Sequence, residues 1–235
     1  MSHNSAQRLR RLYDLLFAAY GPQAWWPAKT SFEVIVGAYL TQNTSWKAVE
    51  RSLNALRTAN ALTPAGLLAL SIEDLQQLIR PSGFITRKAP ALKAFVTFLD
   101  AQFGSSLDTM ATVPTDILRR QLLALPGVGP ETADAILLYA LGHEIPVADE
   151  YLRRIVERHG LRKSPIPRNH LAYETLSELT RQAFASDPHE KHVQLFNEFH
   201  ALTVAVGKAH CGSTPNCEKC PLRSDLVNPI LILSK

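Results

Sequence analysis

Long apolar runs are missing from this chain of 235 residues. The longest, such as Ile136–Leu141, fall far short of the roughly 20 residues that a membrane-spanning helix needs, so no membrane partner is expected. Cysteine is scarce, and all three residues crowd between Cys211 and Cys220. That distribution argues against a disulfide framework and for a local metal or vestigial-metal loop in a reducing cytoplasm. Internal repeats and low-complexity linkers are absent, as is the alternating apolar pattern of strands. The opening MSHNSAQRLRRLYDLL has no uninterrupted apolar stretch before a small-residue cleavage site, so no secretory signal is expected. The expected location is the cytoplasm, on the nucleoid in a bacterium. Excess charge is modest too: 25 Lys and Arg against 21 Asp and Glu give +4, with a pI near 9.0. Such a balance suits a polyanionic partner without demanding one.

What the chain has is helical periodicity. Leu9, Leu12, Tyr13, Leu16, Phe17 and Tyr20 share one face, and Gly21-Pro22 ends that helix. Thr30 or Ser31 can cap a second helix carrying Phe32, Ile35 and Tyr39, and Thr44 can start a third. Ser71-Ile-Glu-Asp74 has capping-box spacing, Pro81-Ser-Gly83 reads as a turn, and Thr115 can cap a helix running to Leu125. Two more helices are expected near 168–185 and 188–207. The fold class is all-α, with about ten helices and short connections.

LPGVGPETAD, residues 125–134, places two glycines and two prolines ahead of an apolar helix repeat at Ala133, Ile136, Leu137, Ala140 and Leu141. A leucine-rich helix precedes it, so two helices are joined by a glycine hairpin. The glycines permit positive φ and close backbone approach, Val128 can anchor the hairpin, and Pro130 suits a first helical turn. Backbone N–H groups at such a helix mouth favour a phosphate oxygen. A plain interhelical turn would look similar. Twenty residues after Gly129, Asp149 precedes a helix that buries Leu152, Ile155 and Val156 and stops at Gly160. As an N-cap it is fully explained; beside a DNA-binding hairpin it could instead stabilise a cationic sugar or orient a water on C1′.

The LPGVG hairpin and its spaced aspartate resemble the helix-hairpin-helix DNA glycosylases of the endonuclease III-like branch, and the resemblance covers nearly the whole chain. It implies two helical lobes with an active site in the cleft between them. The first lobe would be six helices over 30–143, with the hairpin at 125–130. The second would combine 1–29 with 144–235, including a cysteine loop at 211–226. Asp149 matches the family's catalytic aspartate. TQNTSWKAV resembles the helix start that inserts a glutamine into the duplex, giving Gln42 that role, and Gly127, Val128, Gly129 and Thr132 fall on the DNA-binding hairpin. GFITRKAPAL resembles the glycine-aromatic turn and lysine-bearing helix before it. Lys47, Arg87 and Lys88 are candidates for DNA contact there, as are Lys208 and Arg223 beside the cysteine loop.

Glu131 departs from the bifunctional members, which place a Schiff-base lysine at that position. A glutamate has no amine, so the resemblance implies a monofunctional glycosylase with water as nucleophile. The Trp25-Trp26-Pro27 segment and the missing lysine resemble the endonuclease III-like 3-methyladenine glycosylases, which sandwich the base with aromatics near these positions, so Trp25, Trp26, Pro27 and Trp46 are expected to line the pocket. Indole faces favour cationic bases, which points to alkylated purines such as 3-methyladenine or 7-methylguanine. The cysteine loop resembles the family's iron–sulfur loop, but Leu226 stands where the fourth cysteine belongs. With Cys211, Cys217 and Cys220 alone, no cofactor is expected, and a [4Fe-4S] cluster is the alternative. The expected partner is duplex DNA carrying a damaged base, met by a monomer. A different lesion (an oxidised pyrimidine or a mismatch) and a non-catalytic helix-hairpin-helix DNA-binding protein are the competing readings.

Overall fold

The structure is a computed structural model and describes residues 3–162 and 165–226. The described residues form twelve α-helices and no strand. The excess over ten comes from pieces such as Pro64–Ala69 and Leu107–Ala111, each too short to repeat an apolar face. None of the helices among the described residues is long and apolar enough to cross a membrane. The chain divides into two compact units, one of residues up to Trp25 with those from Glu144 onward, the other Trp26–His143. The adjacent tryptophans thus fall in different units.

The Trp26–His143 unit holds eight α-helices: α2 (Ser31–Thr41), α3 (Trp46–Thr58), α4 (Pro64–Ala69), α5 (Ile72–Leu78), α6 (Ile85–Phe103), α7 (Leu107–Ala111), α8 (Thr115–Leu123) and α9 (Pro130–Ala135). A five-residue π-helical stretch, Ile136–Ala140, follows α9 directly. Every residue of α2 from Phe32 to Leu40 is buried, which makes it the central helix of the unit, packed against α3, α6, α9 and the π stretch. Its cap is Thr30, whose hydroxyl accepts from Glu33 N at 3.1 Å. Ser71 caps α5 and also donates to Asp74 Oδ2 at 2.7 Å, so the shorter acid still reaches the capping serine. Two expected caps move. Pro114 precedes α8, leaving the Thr115 hydroxyl for His143 Nδ1 at 2.9 Å, and Ser45 rather than Thr44 precedes α3.

In the other unit, α1 (His3–Tyr20) packs on α11 (His170–Phe184) and α12 (His192–Ala209), and α10 (Glu150–Arg158) packs on α12. An aromatic cluster of Tyr13, Phe184, Phe196 and Phe199 joins α1, α11 and α12, largely by edge-to-face contacts. Tyr151 on α10 lies over Gly207 of α12 so closely that a Cβ there would stand 2.2 Å from its ring. That glycine is required by close approach.

Candidate active site and nucleic-acid interface

The hairpin between α8 and α9 is held from both sides. Arg119 on α8 meets the fully buried Asp134 on α9 with a paired contact, Nε–Oδ1 2.6 Å and Nη2–Oδ2 3.0 Å. Val128 is buried and anchors the loop. Gly127 has φ +77°, and a Cβ there would approach Ala91 to 3.1 Å, so both features require glycine. Gly129 behaves differently. Its φ of −96° is open to any residue, and the space in front of it is empty. Its small size leaves room beside the α9 N-terminus, and positive φ is not the reason for it.

Gln42 follows α2 and turns toward this hairpin. Its Nε2 donates to Gly127 O and to Thr132 Oγ1, both at 2.9 Å. The expected insertion residue and the hairpin are therefore directly coupled, and Thr132 is buried in the coupling. Lys88 requires a correction. It is buried, and Nζ donates to Thr44 Oγ1 at 2.7 Å, Leu40 O at 2.8 Å and Ser82 O at 2.9 Å. An ammonium whose three hydrogens are spent on the protein is an internal strut, not a phosphate contact. Burial also holds its pKa below the ordinary lysine value. At the start of the same helix, Phe84 is 57 % exposed with a left-handed φ of 49°. An exposed aromatic ring on strained backbone makes Phe84 a candidate for the same surface.

Of the four expected pocket residues, the structure brings Trp26 and Trp46 together, with ring centroids 5.7 Å apart at 76°. The third member of the group is Tyr139, 5.4 Å from Trp26 at 66°. Sequence reasoning passed over Tyr139 because it stands within an apolar run that reads as core. It lies in the π stretch, where one extra residue per turn changes which face a side chain takes. Trp26 packs across Gly37, whose Cβ position lies 3.4 Å from the indole Nε1. Pro27 is exposed. Trp25 belongs to the other unit, where Lys208 Nζ stands 5.6 Å from its ring centroid. The expected phosphate contact Lys208 thus also has an aromatic neighbour.

Asp149 caps α10: Oδ1 accepts from Leu152 N at 2.7 Å, and the residue is buried. The second oxygen, Oδ2, stands 3.7 Å from Nε2 of His200, a buried imidazole on α12. Burial pushes His200 down to about 4, so the ring is neutral at pH 7. The carboxylate is therefore built on a helix mouth beside an uncharged ring. His200 carries no sequence signal, since a histidine on an apolar helix face reads as core.

The cysteine loop encloses a hollow lined by Cys211, Cys217, Cys220, His210, Arg158 and Leu226. Arg158 Nη1 donates to Cys211 Sγ at 3.0 Å and Nη2 to Ser213 O at 3.1 Å. Asp225 receives Arg8 Nη2 at 2.7 Å and contacts His159 Nδ1 at 3.1 Å. Leu226 stands among the thiols without a ligand atom, and a guanidinium already holds one sulfur. This donor set does not fit a four-thiolate cluster.

The all-helical fold is shared with known proteins. Residues 36–182 match the model of the HhH-GPD superfamily of base excision DNA repair proteins. The chain belongs to this superfamily. It is 38% identical over 225 residues to a Methanocaldococcus jannaschii protein provisionally named a DNA repair glycosylase, with 95% of this chain and 97% of that protein covered. Endonuclease III of Sulfolobus acidocaldarius is 30% identical over 196 residues, 82% of this chain and 79% of that one. Among solved structures, H. pylori 3-methyladenine DNA glycosylase bound to 1,N6-ethenoadenine superimposes with a TM-score of 0.74 at 28% identity, covering 87% of this chain and 97% of that one. In this HhH-GPD protein Glu131 lies exposed in the first turn of α9, where an acid complements the helix dipole.

Proposed function

We propose that this base excision repair protein is a monofunctional DNA N-glycosylase that removes alkylated purines. The observation that carries the reading is the buried Asp149 carboxylate on a helix mouth, together with a glutamate at 131 where a Schiff-base amine would be needed. The likeness to a 3-methyladenine glycosylase of H. pylori supports the substrate class. Trp26, Trp46 and Tyr139 supply π faces, on which a cationic base gains about 0.5–2 kcal/mol over a neutral one. Pro27, exposed next to Trp26, is assigned to the same base-binding surface.

The chemistry follows from the charges. In a 3- or 7-alkylpurine the C1′–N bond is already weakened, and its electron pair leaves with the base and neutralises it. No acid is needed to protonate the leaving group. Positive charge develops on C1′ and O4′, where Asp149 stabilises it; a water oxygen then bonds to C1′ and its proton passes to the carboxylate or to solvent. The strand is left intact at an abasic site. Gly127 and Gly129 offer backbone N–H groups to a phosphate, Gly129 with room in front of it, whereas the Val128 N–H donates within the hairpin to Leu125 O at 3.3 Å; Phe84 and Gln42 are presented to the duplex.

The test is base release from duplexes carrying methylated purines, oxidised pyrimidines or mismatches, each with and without borohydride. Release of methylated purines with no trapped protein–DNA complex is the expected result. Excision confined to another lesion overturns the substrate assignment, and a trapped complex overturns the water mechanism.

A further inference from the structure

Outside the residues assigned above, a carboxylate and two imidazoles meet in the terminal unit. Glu144 begins the segment that leads into α10, and His189 and His192 lie at the turn between α11 and α12. Glu144 Oε1 stands 2.7 Å from His192 Nδ1, and Oε2 stands 2.8 Å from His189 Nδ1. One ligand atom from each residue falls within 4.8 Å of the others.

The tautomer of His192 is fixed by its surroundings. The ring is buried, and Nε2 lies 3.1 Å from Phe184 O and 3.0 Å from Asp187 O. Carbonyl oxygens only accept, so Nε2 carries the hydrogen. In the neutral ring the Nδ1 lone pair then points at a carboxylate oxygen, and two lone pairs at that separation require a cation between them. A proton on His192 Nδ1 bridges that pair, and His189 can donate its own Nδ1–H to Oε2; a divalent ion in place of these hydrogens takes both imidazoles and the carboxylate as ligands together. Carbonyls that fix the far nitrogen are also how metal-bound histidines are commonly oriented.

We propose that Glu144, His189 and His192 form a binding site for a zinc-class divalent cation, with water completing the coordination. Two imidazoles and one carboxylate are a donor set suited to zinc. The ion ties the segment entering α10, and with it the backbone that delivers Asp149, to the α11–α12 turn. The inference does not depend on the lesion assignment.

Cobalt(II), a coloured substitute for zinc, tests it when titrated into the chelator-treated full chain. The expected spectrum has visible d–d bands from nitrogen and oxygen ligands and lacks the thiolate charge-transfer band that the cysteine loop would produce. His189→Ala removes an exposed ring and so spares the core; it should weaken metal binding more than about tenfold, as should Glu144→Gln. Zinc should raise the thermal midpoint of the parent protein and leave that of His189→Ala unchanged. A purely thiolate-type spectrum, equal affinity in His189→Ala, or no binding would each overturn the site and leave a proton as the bridging cation.

Discussion

At the scale of single residues, burial decides what a charge or a polar ring can do. Lys88 and Asp149 illustrate two outcomes. The sequence places a lysine near a helix start and an aspartate before one, and only the aspartate matches a local rule that survives folding. Lys88 is spent on three acceptors, two of them, Leu40 and Thr44, more than forty residues away, which no local spacing reveals. His200 is equally hidden in the sequence, and its titration is measurable. Its folded pKa is pushed down to about 4 from an ordinary 6.5. Between those values the unfolded chain binds a proton that the folded ring refuses. The stability tied to this group is therefore intact above pH 6.5 and declines as pH falls toward 4. Urea midpoints should fall more steeply over that window in the parent protein than in His200→Gln. Equal slopes would remove His200 from the account.

At the scale of elements, the hairpin was legible because its rules are local. Gly127 needs positive φ and close approach, Val128 needs a core to enter, and Pro130 begins a helix. The brace across it was not legible, since Arg119 and Asp134 lie on different helices and each reads alone as surface charge. Asp134 is wholly buried, so removing the guanidinium beside it should be costly. Arg119→Leu is expected to destabilise the fold by about 3–5 kcal/mol, read from denaturant midpoints. A loss below about 1 kcal/mol, the range of exposed pairs, would mean that the brace is incidental. The π stretch after α9 was equally invisible. Ile136–Ala140 is wholly apolar and continues the helix repeat of α9, yet its altered winding accompanies the contact of Tyr139 with Trp26. The tryptophans could be found by type, whereas Tyr139 could be found only from the winding.

At the scale of the whole molecule, the helical class and the membership of a base excision repair superfamily followed from few residues, because hairpin and capping acid are constrained jointly. The reading of the short helices α4 and α7 failed because elements under two turns carry no periodicity. The cysteine loop shows the complementary case: spacing identified it, and one residue, Leu226, set it apart from a four-thiolate site. The proposed role of Asp149 is chemical as well as structural. Asn caps a helix about as well as Asp, so Asp149→Asn separates the two roles. Release of methylated purines from duplex DNA, compared between parent protein and Asp149→Asn at matched thermal midpoints, tests this most directly. The variant is expected to stay folded and release base at least about 100-fold more slowly. Base release by Asp149→Asn at the parent rate would contradict it.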